Sequence, residues 1–185
     1  MSTAREIRFN SYNTRRNLPV EIRRRRGESN FLGAFVRAML QEVPLPCAYG
    51  RNFPVPGCGV ADLVMCELPG GIDQGVRLVD LYLSAFELKL SDWKKALQQA
   101  YRYKYYADLS IVVLPARTAD RAVQSSMLFE ALGVGLWTLD TSTGIIHKHV
   151  VAVKSEGPLN TGKRDRALSR LRARLAHFGK SYEET

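Results

Sequence analysis

The 185-residue chain has no apolar run close to the roughly 20 residues that would cross a bilayer, so a spanning helix is excluded. It opens on MSTAREIRFN, with charges where a secretory leader would carry its apolar stretch, and the expectation is a cytoplasmic protein with no membrane partner. Cysteine is scarce. Cys47, Cys58 and Cys66 are odd in number and form no C-x-x-C pair, which argues against a disulfide framework or a zinc ribbon and for buried thiols. The glycine-rich stretches lack the G-x-x-x-x-G-K-[ST] loop, so nothing supports nucleotide hydrolysis.

Acidic residues are also in short supply, 18 against 27 Lys and Arg, for a net charge of +9. The excess is confined to the ends. Residues 1–27 hold eight arginines against Glu6 and Glu21, and residues 154–185 hold eight basic side chains against four acids. Between them, residues 28–153 are nearly neutral, with 11 basic and 12 acidic side chains. This divides the chain into a basic N-terminal arm (1–27), an α/β domain (28–153), and a linker with a basic C-terminal helix (154–185). Runs such as Arg23-Arg24-Arg25-Arg26 and Lys163-Arg164-Asp165-Arg166 suit a polyanion, since each phosphate contacted releases condensed counterions. DNA is the expected partner, and RNA stays open because nothing in the sequence reads a 2′-hydroxyl.

Periodicity predicts the elements of the middle segment. Phe31, Leu32, Phe35, Val36, Met39 and Leu40 repeat at helical spacing before Pro44. Two short strands are expected near 51–55 and 60–67, and one long or two short strands over 76–90. Ser91 reads as the cap of a helix through SDWKKALQQAYRYKYYAD. Ser110 to Pro115 is a fully apolar run of the kind found in central strands. A helix at about 118–132, two strands around 135–140 and 145–153, and a helix over 163–178 with Leu168, Leu171, Leu175 and Phe178 as its stripe complete the prediction. His147 and His149 read as one polar face of a strand.

Within this frame Asp62 falls near the start of a strand in GVADLV, and Glu87-Leu88-Lys89 closes the next strand region. Side chains alternate along a strand, so Glu87 and Lys89 share a face while Phe86, Leu88 and Leu90 take the other. Two carboxylates at the ends of adjacent strands offer hard oxygen ligands for Mg²⁺, with Mn²⁺ as its substitute. A lysine beside them can orient or deprotonate water.

This succession resembles the PD-(D/E)xK superfamily, which includes restriction endonucleases, Holliday-junction resolvases and phage exonucleases. The likeness rests on GVADLV followed by FELK, then a helix and an apolar strand, across roughly residues 28–140. It implies a restriction-endonuclease-like core: a central mixed sheet flanked by helices in α-βββ-α-β order, with extra C-terminal strands and a basic helix. It further implies Asp62 and Glu87 as metal ligands, the Leu88 carbonyl as another, and Lys89 as the group serving the attacking water. Ala61 stands where the family's name-giving proline would be. Gln99 and Tyr103 on the following helix resemble the Q-x-x-x-Y motif of the helicase-associated and exonuclease-like branch, which implies contact with DNA or bracing of the metal ligands.

Many members of the superfamily draw a third acid from the first helix. Of Glu21, Glu28 and Glu42, Glu21 precedes the arginine run and is expected outside the helix. At ~100° per residue, Glu28 lies roughly 30° from the centre of the apolar face and Glu42 about 70°. Glu28 is therefore the candidate, with simple helix capping as its alternative role. The expected activity is Mg²⁺-dependent hydrolysis of DNA phosphodiesters, by an endonuclease or an exonuclease. The alternatives are a non-catalytic DNA-binding module or a nuclease subunit of a larger repair, transposition or phage assembly; a homodimer or larger protein assembly stays open as the state of the chain.

Overall fold

The computed structural model describes residues 6–10, 26–43, 47–67, 81–154 and 158–179, with no account of the side chains of Glu6, Ile7, Phe9, Asn10 and Arg26 or of residues 175–179. Seven strands form one mixed sheet in the order β1 to β7: β1 Glu6–Asn10, β2 Cys47–Val55, β3 Gly59–Glu67, β4 Tyr82–Leu88, β5 Leu109–Pro115, β6 Gly135–Leu139 and β7 Ile146–Val150. The β2–β3–β4 meander is antiparallel, β4, β5 and β6 run parallel, and β7 returns antiparallel to β6. Helix α1 (Arg26–Glu42) packs Phe31, Phe35 and Met39 on one face, against Leu63, Phe86, Ile111 and Val113. The other face is covered by α2 (Trp93–Tyr103), the short α3 (Asp120–Gln124) and α4 (Ser126–Leu132), and α5 (Thr161–Gly179). The chain is thus an α/β protein with a mixed open sheet between two helical layers.

Strand-length apolar runs and helical stripes account for most of this. In β4 the alternation sends Leu83 and Ala85 to the α2 face and Phe86 and Leu88 to the α1 face. In β5 every residue from Ser110 to Pro115 is buried, as befits a central strand covered on both sides. Its one polar member, Ser110, donates its hydroxyl proton to the Ala100 carbonyl and so ties β5 to α2.

The structure departs from the sequence expectation at several points. Five residues of the basic arm, Glu6–Asn10, pair in parallel with Cys47–Arg51 and extend the sheet. The cap of α2 is Asp92 rather than Ser91, its carboxylate accepting from the Lys95 N–H at 3.1 Å. The helix expected at 118–132 is split at Ser125 into α3 and α4, after a 3-10 turn at Ala116–Thr118. Residues 76–80 of the long strand expectation and Arg23, Arg24 and Arg25 lie outside the described residues. His147 and His149 are exposed on β7, with the His149 Nε2 3.0 Å from the buried Thr138 hydroxyl.

The C-terminal helix differs most in role. Ala167, Leu168 and Leu171 join the α2-side core, while Leu175 and Phe178 of the expected stripe are outside the described side chains. Arg164 donates to the carbonyls of Tyr106 and Leu81 at 2.7 and 2.8 Å and pairs with Asp108 at 2.8 Å. Asp108 in turn accepts from the Leu83 N–H at 2.7 Å. Lys163 donates to the Pro56 carbonyl. Two of the cations that a charge count assigns to phosphate are therefore engaged by the protein itself, Arg164 in part-buried contacts and Lys163 at an exposed one. Arg166, Arg170 and Arg172 remain exposed.

Candidate active site

The site forms where β3 and β4 part. Their ladder runs from Glu67↔Tyr82 to Leu63↔Phe86 and stops there. One residue beyond, the Asp62 carboxylate accepts from the Leu88 N–H at 2.7 Å, bridging the gap that the missing ladder bonds leave. On its other side β4 continues beside β5, and the Lys89 N–H donates to the Val113 carbonyl at 3.2 Å. Across a trans peptide the carbonyl points opposite to the following N–H. The Leu88 carbonyl therefore faces away from β5, into the gap that Asp62 occupies.

Glu87 and Lys89 share a face as alternation predicts, and they are ion-paired. Glu87 is 1 % exposed and Asp62 8 %. Burial raises the Glu87 carboxyl to about 7, the neighbouring Asp62 charge adds to the rise, and Lys89 and Tyr103 oppose it without cancelling it. Burial alone would lower Lys89, but Glu87, Asp62 and, more weakly, Glu28 outweigh it and hold the ammonium above its ordinary range. Lys89 is thus a cation at neutral pH, suited to orienting water or stabilising negative charge.

Tyr103 shows how the following helix serves this pair. Its side chain is 1 % exposed, and its hydroxyl lies 2.9 Å from the Val60 carbonyl and 2.5 Å from Glu87 Oε2. A hydroxyl has one hydrogen to give. When it is donated to Val60, the contact with Glu87 is closed by a proton on the carboxyl; when Glu87 is ionised, the hydroxyl turns to it. Of the two roles implied by the Q-x-x-x-Y likeness, the geometry of Tyr103 fits the brace and not a contact with DNA, because the ring is buried. Tyr103→Phe leaves the Val60 carbonyl without its donor and should cost about 1–3 kcal/mol of stability. Urea unfolding of the variant measures the loss; an unchanged midpoint would mean that the hydroxyl bonds contribute nothing.

Gln99 lies one helical turn before Tyr103, on the same face, and its Oε1 is buried with no hydrogen-bond partner. Glu28 lies in the first turn of α1. A methyl at the neighbouring Gly27 would meet the Leu90 side chain at 3.4 Å, so the start of α1 abuts the segment that carries Lys89. Glu42 belongs elsewhere: it pairs with Lys148 at 2.9 Å on the exposed surface.

The donors assembled here, two carboxylates and a main-chain carbonyl, are hard oxygens of the kind that bind Mg²⁺ or Mn²⁺. Their fit is electrostatic as well, since Glu87 stays raised despite Lys89 and the pair has room for further positive charge. Among the described residues no group of three or more His, Cys, Asp or Glu side chains converges on one point, so protein side chains alone would supply two ligands, with main chain, water or substrate completing the shell. The sequence could reveal Asp62, Glu87 and Lys89 through strand alternation. It carries no signal for the Val60 carbonyl or for the Asp62 bond to Leu88, which depend on where two strands separate. No family model, no curated protein and no solved structure matches the chain.

Proposed function

We propose that the chain is a divalent-metal-dependent nuclease of PD-(D/E)xK type, with a restriction-endonuclease-like core, that hydrolyses DNA phosphodiester bonds. The observation that carries the reading is the parting of β3 and β4, which gathers Asp62, Glu87, the Leu88 carbonyl and Lys89 at one gap. Asp62, Glu87 and the Leu88 carbonyl would hold Mg²⁺, which there supplies Lewis-acid activation of a phosphodiester and a lowered pKa for bound water. Lys89 stays charged beside the carboxylates, where it orients the attacking water and faces the charge that grows on the phosphate. Tyr103 fixes the carboxylate of Glu87, and Glu28 approaches from α1. Gln99, half-buried where Tyr103 is enclosed, is the member of the helix motif left to meet substrate, with its amide NH2 as the donor to a phosphate oxygen. Arg166, Arg170 and Arg172 supply exposed cations on α5, and Arg23 to Arg26 precede and begin α1.

The test is incubation with plasmid, linear duplex, single-stranded and branched DNA, and with RNA, in Mg²⁺, Mn²⁺ or EDTA. Cleavage that needs the ion and is lost in EDTA is expected. DNA bound but left intact under every condition would leave a non-catalytic binding module. The arginines are tested separately, by replacing Arg23 to Arg26 with glutamine rather than deleting the arm, because β1 lies within it. Binding should weaken steeply with salt, and the substitution should flatten the slope of log K against log [salt] by up to ~3–4. An unchanged slope would assign the arginines to another task.

A further inference from the structure

Asn52 sits inside β2 with φ 53°, the left-handed region, and is the one non-glycine residue with positive φ among those described. Asparagine tolerates that region better than most residues, but within a strand it still needs a reason. Its side chain does not provide one: the Oδ1 atom is buried and makes no hydrogen bond.

The reason lies across the ladder. The β2–β3 register pairs Arg51 with Leu63 and Phe53 with Ala61, which sets Asn52 opposite Asp62. At this point both strands exchange faces. Before it, Ala48 packs on the α2 side and Tyr49 on the α1 side; after it, Phe53 and Val55 both join the α2-side core. On β3, Val64 and Cys66 face α2 while Leu63 and Met65 face α1, yet Ala61 is again on the α2 side. Strict alternation would have put Phe53 with Tyr49 and Ala61 with Leu63. The same position is where β3 leaves β4 and where Asp62 turns its carboxylate to the Leu88 N–H.

We propose that Asn52 is a positioning residue for Asp62: its left-handed backbone twists the β2–β3 pair, drives β3 away from β4, and so opens the gap that holds the carboxylate. Asn52 acts through its backbone conformation and not through its amide group. The inference deepens the nuclease reading, and depends on it only where ion binding is concerned.

Glycine adopts positive φ freely, alanine reluctantly and valine hardly at all. The full-length chain is therefore compared as wild type, Asn52→Gly, Asn52→Ala and Asn52→Val, with the ion removed and with Mn²⁺ added. The first readout is amide exchange at Leu88 in metal-free protein, which reports the bond to Asp62. The second is Mn²⁺ affinity by calorimetry. Asn52→Gly should match wild type in both. Asn52→Ala should exchange Leu88 at least several-fold faster and bind Mn²⁺ more weakly, and Asn52→Val should go further in the same direction. Should Asn52→Val fail to fold, the alanine variant decides. Unchanged Leu88 protection in the alanine variant overturns the proposal, and so does a glycine variant as impaired as alanine, which would move the role to the amide. If wild type binds no Mn²⁺, the nuclease reading fails, while Leu88 exchange still tests the part played by Asn52.

Discussion

Under the proposed nuclease function, Asp62→Asn and Glu87→Gln should each reduce cleavage at least ~100-fold, because each removes a charged oxygen ligand from a centre where Asp62 and Glu87 are the two buried acids among the described residues. Both substitutions are nearly isosteric, so the fold and most of the DNA binding should persist. Their effects on the metal-free protein should differ in sign. Asp62 accepts a buried hydrogen bond from Leu88, which an asparagine oxygen can keep, if more weakly. Ionising Glu87 runs against the preference of its surroundings, which raise the carboxyl to about 7, so a neutral glutamine should stabilise the metal-free protein above that pH. Lys89→Ala should behave as a third kind of variant, binding Mn²⁺ at least as well as wild type while losing about 10²–10⁴-fold in turnover. Glu28→Gln should raise the Mg²⁺ concentration needed for half-maximal cleavage with little change in melting temperature, whereas Glu42→Gln should alter neither. Rates at saturating and limiting Mg²⁺ for the five purified variants separate these outcomes. Wild-type cleavage by the Asp62 or Glu87 variant would remove the mechanism.

The parts of this site that the sequence displays are the ones that depend on local periodicity. A two-residue period is enough to put Glu87 and Lys89 together, and a helical period is enough to put Gln99 and Tyr103 on one side of α2. What it hides depends on partners far along the chain. The arm segment Glu6–Asn10 has five residues and basic surroundings, and becomes a strand only because β2 offers it a parallel edge nearly forty residues later. Arg164 counts as a surface cation in any tally of charge, yet Asp108 and two carbonyls are waiting for it. Ser125 interrupts a stretch with neither proline nor glycine, so nothing local announces the break between α3 and α4. Asn52 has the same character. An asparagine in a predicted strand looks like a tolerated polar residue until the register shows what stands opposite.

The contribution of Glu87 to the stability of the metal-free protein should fall as pH rises from about 4.5 to about 7, opposite in sign to that of a carboxylate whose pKa is lowered on folding. Glu87 has an ordinary pKa of 4.5 and a folded-state value of about 7. Below the lower value both states hold the proton. Between the two, the unfolded chain has released it while the native state keeps it, so the native state binds more protons and stability declines with rising pH, by up to ~1.4 kcal/mol per unit. Above the upper value both states are ionised and the decline stops. Lys89 does not reverse this trend: its pKa is raised from 10.5, so its contribution is fully present throughout this window and is lost only at much higher pH. Urea unfolding in EDTA at half-unit intervals from pH 4.5 to 8 measures the slope, and the same series in Glu87→Gln isolates this carboxyl, since the variant should be flatter across the window. Adding Mg²⁺ supplies the converse. An ion that requires the deprotonated carboxylate should stabilise the protein little at pH 5 and by several kcal/mol at pH 8, at concentrations well above its dissociation constant. A Glu87→Gln profile parallel to wild type in EDTA would mean that Glu87 titrates normally, and that the burial of this carboxyl imposes none of the strain that a bound cation is here expected to relieve.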